Sequence, residues 1–272
     1  MSVTIRSLIP TDRGLLVGEV LDAGFRLFRA SLLRCLPLSA TSVVAAQGPT
    51  LYDAAMGRSF SLLGSKDVGW WVVYVVAVIV SVWMIGLVFR AQDALARSVP
   101  WKLRADLVPT LWRTPGAVVV SLAVLAPVVL AVVAYAVNVL PGALTAVALL
   151  PAAWLGVRLA FVPCLYWCER RSVWRALAGG FRLLSGSFWR TCAVLVVMLM
   201  TVMVFYFVIA ILLAVLAPSF GARDAALLLA LQAVVAMCVG AVGMPFATAL
   251  LVVAADDLRW RQTRGHGGTT AA

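Results

Sequence analysis

The chain is 272 residues long, 64% hydrophobic and 12% charged, with a mean hydropathy of +1.04 and a formal net charge of +11. Soluble domains are about 45–50% apolar and about 25% charged, so this chain has too little polar surface to solvate a globule of its size; a soluble enzyme, a disordered chain and a disulfide scaffold are excluded. What remains is an all-α, polytopic membrane helical bundle, and the basic excess then belongs to a membrane surface, with no nucleic acid implied.

In chain order, a tail over 1–13 gives way to an amphipathic stretch at 18–29, where Val17, Val20, Leu21, Gly24, Phe25 and Phe28 recur at helical spacing. It runs into a first apolar segment at 33–51, the least apolar of the set, which contains Arg34, Pro37, Gln47 and Pro49. A cleaved leader is disfavoured there, because the apolar run begins only after an organised stretch far longer than an ordinary basic n-region. Further apolar segments follow at 68–89, 116–137, 143–166, 191–217 and 225–254. Each is near or above the roughly 20 residues a helix needs to cross a hydrocarbon core. Gly240, Gly243 and Pro245 predict a kink in the sixth. Two more amphipathic stretches, 101–113 and 172–184, precede the third and fifth segments; in the latter Val173, Leu177, Phe181 and Leu184 form the apolar face. Helices of this kind are expected to lie in the headgroup plane, aromatics dipped in and guanidiniums outward.

Lys and Arg fall almost wholly on one side of this arrangement. The stretch up to Arg34 carries Arg6, Arg13, Arg26, Arg29 and Arg34; the second-to-third connection carries Arg90, Arg97, Lys102, Arg104 and Arg113. The fourth-to-fifth connection carries Arg170, Arg171, Arg175, Arg182 and Arg190, and the C-terminal stretch Arg259, Arg261 and Arg264. The other side has only Arg58, Lys66 and Arg223, and Arg158 lies inside the fourth segment. Basic loops resist translocation, so both termini are expected in the cytoplasm, in a bacterial inner membrane. An even number of spans agrees with that.

The pattern of interfacial helix, span, outer turn, span occurs three times, at about 14–89, 100–168 and 172–257, within one membrane domain over 14–262 that is followed by a disordered tail over 263–272. The three copies begin on the same side, which is a direct threefold repeat and not the inverted repeat common in transporters.

Three stretches then carry a resemblance. Residues 18–29, with Gly18-Glu19-Val20-Leu21-Asp22, the stretch 176–189, with Phe181-Arg182-Leu183 and Phe188-Trp189, and the ending Pro245-Phe246 followed by Asp257-Leu258-Arg259-Trp260-Arg261 are similar to the membrane domain of the glycerophosphoryl diester phosphodiesterase family and to related six-span bacterial proteins. The resemblance implies a six-helix membrane domain, which in that family is sometimes joined to a catalytic barrel of about 250 residues. This sequence has no soluble segment of that size and a single histidine, His266, in a polar tail. The resemblance therefore carries no activity with it.

Candidate sites are few. No nucleophile-elbow, zinc-helix or phosphate-loop pattern is present, so no catalytic residue, metal or cofactor is assigned. The cysteines Cys35, Cys164, Cys168, Cys192 and Cys238 read as packing residues, Cys164 and Cys168 sharing a helix face. Arg26, Arg29, Arg175 and Arg182, on the polar faces of the amphipathic stretches, are the candidate contacts to anionic lipid. Glu19, Asp22, Asp257 and Arg259 are candidate structural ion-pair residues. Arg158, costly inside a span, is expected to snorkel, to meet an anionic lipid headgroup, or to pair with a carboxylate, Glu19 and Asp22 being the nearest candidates. Asn138, Gln47 and Gln232 read as interhelical glue. The function expected is a non-catalytic accessory, scaffold or membrane-shaping protein, partnered by anionic lipids and by a protein or a second copy. A small-molecule or lipid translocator is the alternative, and a membrane-embedded hydrolase lacks visible chemistry.

Overall fold

The computed structural model describes residues 14–56, 67–136, 142–216 and 225–265, and every element among them is helical. The tail 1–13, residues 266–272 with His266, and Arg58, Lys66, Asn138 and Arg223 lie outside the described residues. The helices are α1 (Val17–Ala46), α2 (Gly48–Ala55), α3 (Val68–Ala96), α4 (Leu103–Ala136), α5 (Gly142–Leu159), α6 (Val162–Cys168), α7 (Val173–Leu183), α8 (Phe188–Leu216) and α9 (Ala225–Gly265). Six stretches are long and apolar enough to cross a membrane: Val17–Ala46, Val68–Ala96, Leu103–Ala126, Leu150–Cys168, Phe188–Val208 and Val234–Thr263. The chain is a multi-pass helical membrane protein.

The spans form a ring in chain order, α1 against α3, α3 against α4, α4 against α5, α5 against α8 and α8 against α9, with α9 closing back on α1. Among the described residues the α1–α9 contact is the most extensive and the α5–α8 contact the sparsest of the ring. Gly24 permits the close α1–α9 approach: a methyl group there would overlap the Leu250 side chain. The main buried cluster, with Val20, Leu27, Phe89, Phe161, Leu165, Trp167, Leu184 and Leu258, gathers at the end of the bundle where α1 starts and α9 finishes. That end also carries the arginines, and is the basic end below. At the opposite end Tyr52 Oη donates to Asp67 Oδ2 at 2.7 Å, beside the mutually packed rings of Trp70, Trp71 and Tyr74.

Several expectations change. The amphipathic stretches at 18–29 and 101–113 are not separate helices lying flat: α1 and α4 run through them into the spans without interruption. In α1 the face with Val20, Ala23, Gly24 and Leu27 is buried within the protein, and Phe25 is exposed. In α4 Pro109 and Pro115 lie at exposed positions, where the carbonyls they leave unpaired need not be buried in the fold. The third stretch alone is a separate helix, α7, because Gly186 takes a φ of +85° in the turn before α8, a conformation other residues avoid. Its buried residues are Ala176, Gly180 and Leu183, set against α6, and Phe181 is exposed. The fourth span, expected unbroken over 143–166, is split between α5 and α6 at Ala160 and Phe161, since Pro163 cannot donate to Leu159 and suits the first turn of a new helix.

The sixth span stays helical through Pro245. Proline leaves the carbonyl of Ala241, four residues back, without its usual donor. Ser39 Oγ of α1 supplies one, at 2.6 Å. Buried Gln92 of α3 donates Nε2 to the Pro245 carbonyl at 2.7 Å and to Ser31 Oγ at 3.3 Å, and Ser42 and Ser81 exchange hydroxyl-to-carbonyl bonds of 3.1 and 2.9 Å. Polar residues thus join α1, α3 and α9 across the apolar zone. At its far end α9 continues to Gly265, three residues past the expected domain limit of 262.

Candidate functional site

At the basic end the carboxylates are held by arginine. Asp257, nearly fully buried, accepts the Leu15 N–H on Oδ1 at 2.7 Å and meets Arg190 Nη1 at 3.1 Å and Arg261 Nε at 3.2 Å on Oδ2. Both arginines also donate to the Leu15 carbonyl, Arg261 at 2.9 Å. The backbone just before α1 is therefore gripped on both its polar groups by α8 and α9. Arg259 bridges Asp256 at 2.6 Å and Glu169 at the end of α6, whose other oxygen meets Arg171. Asp106 of α4 holds Arg90 of α3 at 2.7 Å and Arg170 at 3.5 Å. Arg113 donates to the carbonyls of Tyr166 and Arg171 at 3.2 and 2.6 Å, lies over the Tyr166 ring, and accepts the tyrosine hydroxyl on its own carbonyl at 2.7 Å. Asp93 binds Arg97 at 2.8 Å.

Asp257 and Arg259, named from sequence, thus sit in the network, with different partners: Asp257 serves Leu15, Arg190 and Arg261, while Arg259 joins Glu169 to Asp256. The pairing of Arg158 with Glu19 or Asp22 is overturned. Glu19 accepts the Leu16 N–H at 2.7 Å, in the manner of a capping box, and Asp22 holds Arg26 at 2.7 Å. Arg158 instead lies 4.9 Å from the Trp154 ring and 5.7 Å from that of Phe188, with Nη1 3.4 Å from the Phe181 carbonyl. The break after α5 brings α7 and the start of α8 to it, so it lies among aromatic rings and a carbonyl near the end of α7.

With the carboxylates engaged, arginine is in surplus. Arg29, Arg175 and Arg182 are exposed and meet no carboxylate among the described residues; Arg26 is exposed beside Asp22. Three tryptophans share this end and are almost bare: Trp112 at 82%, Trp174 at 80% and Trp189 at 83% exposure. Indole rings favour the membrane interface, apolar body inward and N–H toward water. Guanidiniums beside them offer forked donors to phosphate oxygens.

Two of the clefts in the apolar zone lie between helices. One, of about 290 Å³, lies between α1, α8 and α9 and is lined by Phe25, Phe28, Thr201, Val202, Phe205, Cys238, Val239, Val242, Gly243 and Phe246. The other, of about 330 Å³, lies between the far end of α1, α3 and α4, against Tyr74, Ala77, Ser81 and Leu122. Their linings are almost entirely carbon. Cys164 and Cys168 do share a face, their Sγ atoms 3.8 Å apart as free thiols, and among the described residues no three His, Cys, Asp or Glu side chains gather as a metal-ligand set.

Sequence reasoning missed the roles of Asp106, Arg90, Glu169 and Gln92. The i,i+4 spacing of Asp93 and Arg97, and of Asp257 and Arg261, was a readable signal; the contacts between distant elements had none. Comparisons with protein-family models, with curated proteins and with solved structures found no match to this chain.

Proposed function

We propose that the protein is a non-catalytic accessory or scaffold of a bacterial cytoplasmic membrane, with the basic end cytoplasmic, that engages anionic lipid headgroups through Arg26, Arg29, Arg175 and Arg182. The observation that carries this reading is the surplus: the carboxylates at the basic end are bound to arginines or backbone, and the arginines left over stand exposed beside bare tryptophans. A surface of that composition attracts phosphate by charge and seats itself at headgroup depth by its indoles. The carbon-lined clefts favour a structural role over passage of a polar solute, which needs polar groups along its path. The resemblance of 18–29, 176–189 and 245–261 to a membrane domain found beside a catalytic domain, and not forming it, supports the same reading.

Native mass spectrometry of the protein released from mixed vesicles tests it. Replacing Arg26, Arg29, Arg175 and Arg182 together with Gln should lower the enrichment of anionic over zwitterionic lipid, each removing about 1 kcal/mol of surface attraction. An unchanged lipid preference overturns the reading.

A further inference from the structure

The cleft between α1, α8 and α9 is not sealed by protein on its membrane side, and its shape specifies what enters it. One wall is three phenylalanines packed edge to face: Phe25 and Phe246 at 5.3 Å, Phe28 and Phe246 at 5.6 Å. Its lips, Phe25, Phe205 and Val242, are exposed. Toward the basic end the same three-helix seam closes: Val20, Val194 and Leu258 are buried side by side, and the Arg190–Asp257 pair caps them. A water-soluble ligand has no way in from that end. An apolar chain enters sideways from the bilayer. The volume, about 290 Å³, is near the lower bound of roughly 300 Å³ for small-molecule pockets, too small for a folded partner and suited to part of one hydrocarbon chain.

Charge places the other end of that molecule. Arg29 stands one helical turn beyond Phe25 on the same face of α1. Side chains in a helix lean back toward its N-terminus, and α1 starts at the basic end, so a long side chain at 29 leans toward that end on the face that carries Phe25. Arg29 is exposed and meets no carboxylate among the described residues. We infer that this cleft binds one acyl chain of an anionic phospholipid of the leaflet at the basic end, with its phosphate at Arg29. The inference rests on the anionic-lipid reading above and deepens it, turning a diffuse surface attraction into a single seat.

Gly243 gives the means of testing it. A Cβ added there meets nothing within 4 Å and Gly243 lines the cleft, so Gly243→Leu projects its side chain from open space at the cleft wall. Val242→Trp, at the exposed lip, blocks it from outside. The full-length protein is reconstituted in vesicles containing phosphatidylglycerol or phosphatidylcholine with the same photoreactive diazirine chain, irradiated, and its adducts mapped by peptide mass spectrometry. The expected result is adducts concentrated on 201–205 and 238–246 with phosphatidylglycerol. They should be lost in Gly243→Leu and in Val242→Trp, reduced in Arg29→Gln and with phosphatidylcholine, and retained in Gly156→Leu, a second helical glycine with open space around it. Adducts spread evenly along lipid-facing α4 and α8 and indifferent to Gly243 overturn the seat. Equal cleft labelling by the two lipids overturns the placement of the phosphate at Arg29. Failure of the accessory reading registers elsewhere, as an unchanged lipid preference in the four-arginine variant.

Discussion

Asp257 concentrates more structural responsibility than any other carboxylate at the basic end, since it holds two arginines and the backbone ahead of α1 at once. Removing one partner of a buried pair leaves the others uncompensated. Asp257→Ala should therefore destabilise the protein by about 3–5 kcal/mol, read as a fall in melting temperature in detergent, and should expose the chain around Leu15 to protease. Arg158 should behave differently. It has rings and one long carbonyl contact, not a carboxylate, so Arg158→Leu should cost no more than about 2 kcal/mol, the upper range of a desolvated cation–π contact. A double change with Glu19→Gln should be additive within about 0.5 kcal/mol; rescue of one by the other would restore the discarded ion pair. The sequence marked Arg158 as anomalous because charge in an apolar run is costly. It did not reveal the solution, because that depends on a helix break after α5, and the sign of that break was Pro163, a residue that reads equally well as a tolerated span proline. Asp257 and Arg261 were legible as an i,i+4 pair. The third member, Arg190, lies on another helix, and nothing in its own neighbourhood announces it.

Helices were easier to find than their joints. Runs of some twenty apolar residues mark a span by length, and the number of spans was readable on that ground, although the first runs over Val17–Ala46 and not 33–51. The amphipathic stretches were readable too, but a hydrophobic face does not state whether lipid or protein will cover it. In α1 the protein does, because α9 comes close enough at Gly24 to bury Ala23, Gly24 and Leu27. Gly24→Ala should thus be destabilising by about 1–3 kcal/mol through overpacking against Leu250, although alanine favours the helix; thermal unfolding measures the sign. The proline in α9 offers a second test. Ser39→Ala leaves the Ala241 carbonyl buried without a donor and should cost about 1–3 kcal/mol. In a Pro245→Ala background the restored N–H serves that carbonyl, and the same serine change should cost measurably less. Equal losses in both backgrounds would show that the serine hydroxyl is not compensating for the proline.

For the molecule as a whole, the two ends differ in kind: Trp70, Trp71 and Tyr74 at one, arginines and bare indoles at the other. Placing the basic end in the cytoplasm predicts that, in a background with the five native cysteines replaced, a cysteine at 104 reacts with a membrane-impermeant maleimide only after the cytoplasmic face is opened, and one at 58 or 66 reacts in intact cells. The reverse pattern would invert the protein. Charge asymmetry between the two ends was the most legible global property, since it is a sum over many residues and survives local error. The ring order of the spans was legible only as a repeat. The extensive contact between α1 and α9 rests on Gly24 and Ser39, whose partners lie far along the chain.

The grip of Asp257 on Leu15 spans 242 residues of sequence. At roughly 5–20 residues per second of synthesis, the helix that α1 packs against most extensively reaches the ribosome exit some 10–50 s after it. Through that interval α1 waits in the translocon or the bilayer with Ser39 facing no Ala241 and its first turn unclamped. Assembly is therefore completed from the C-terminal side, and a nascent chain stalled before α9 presents an open seam that quality-control proteases can recognise.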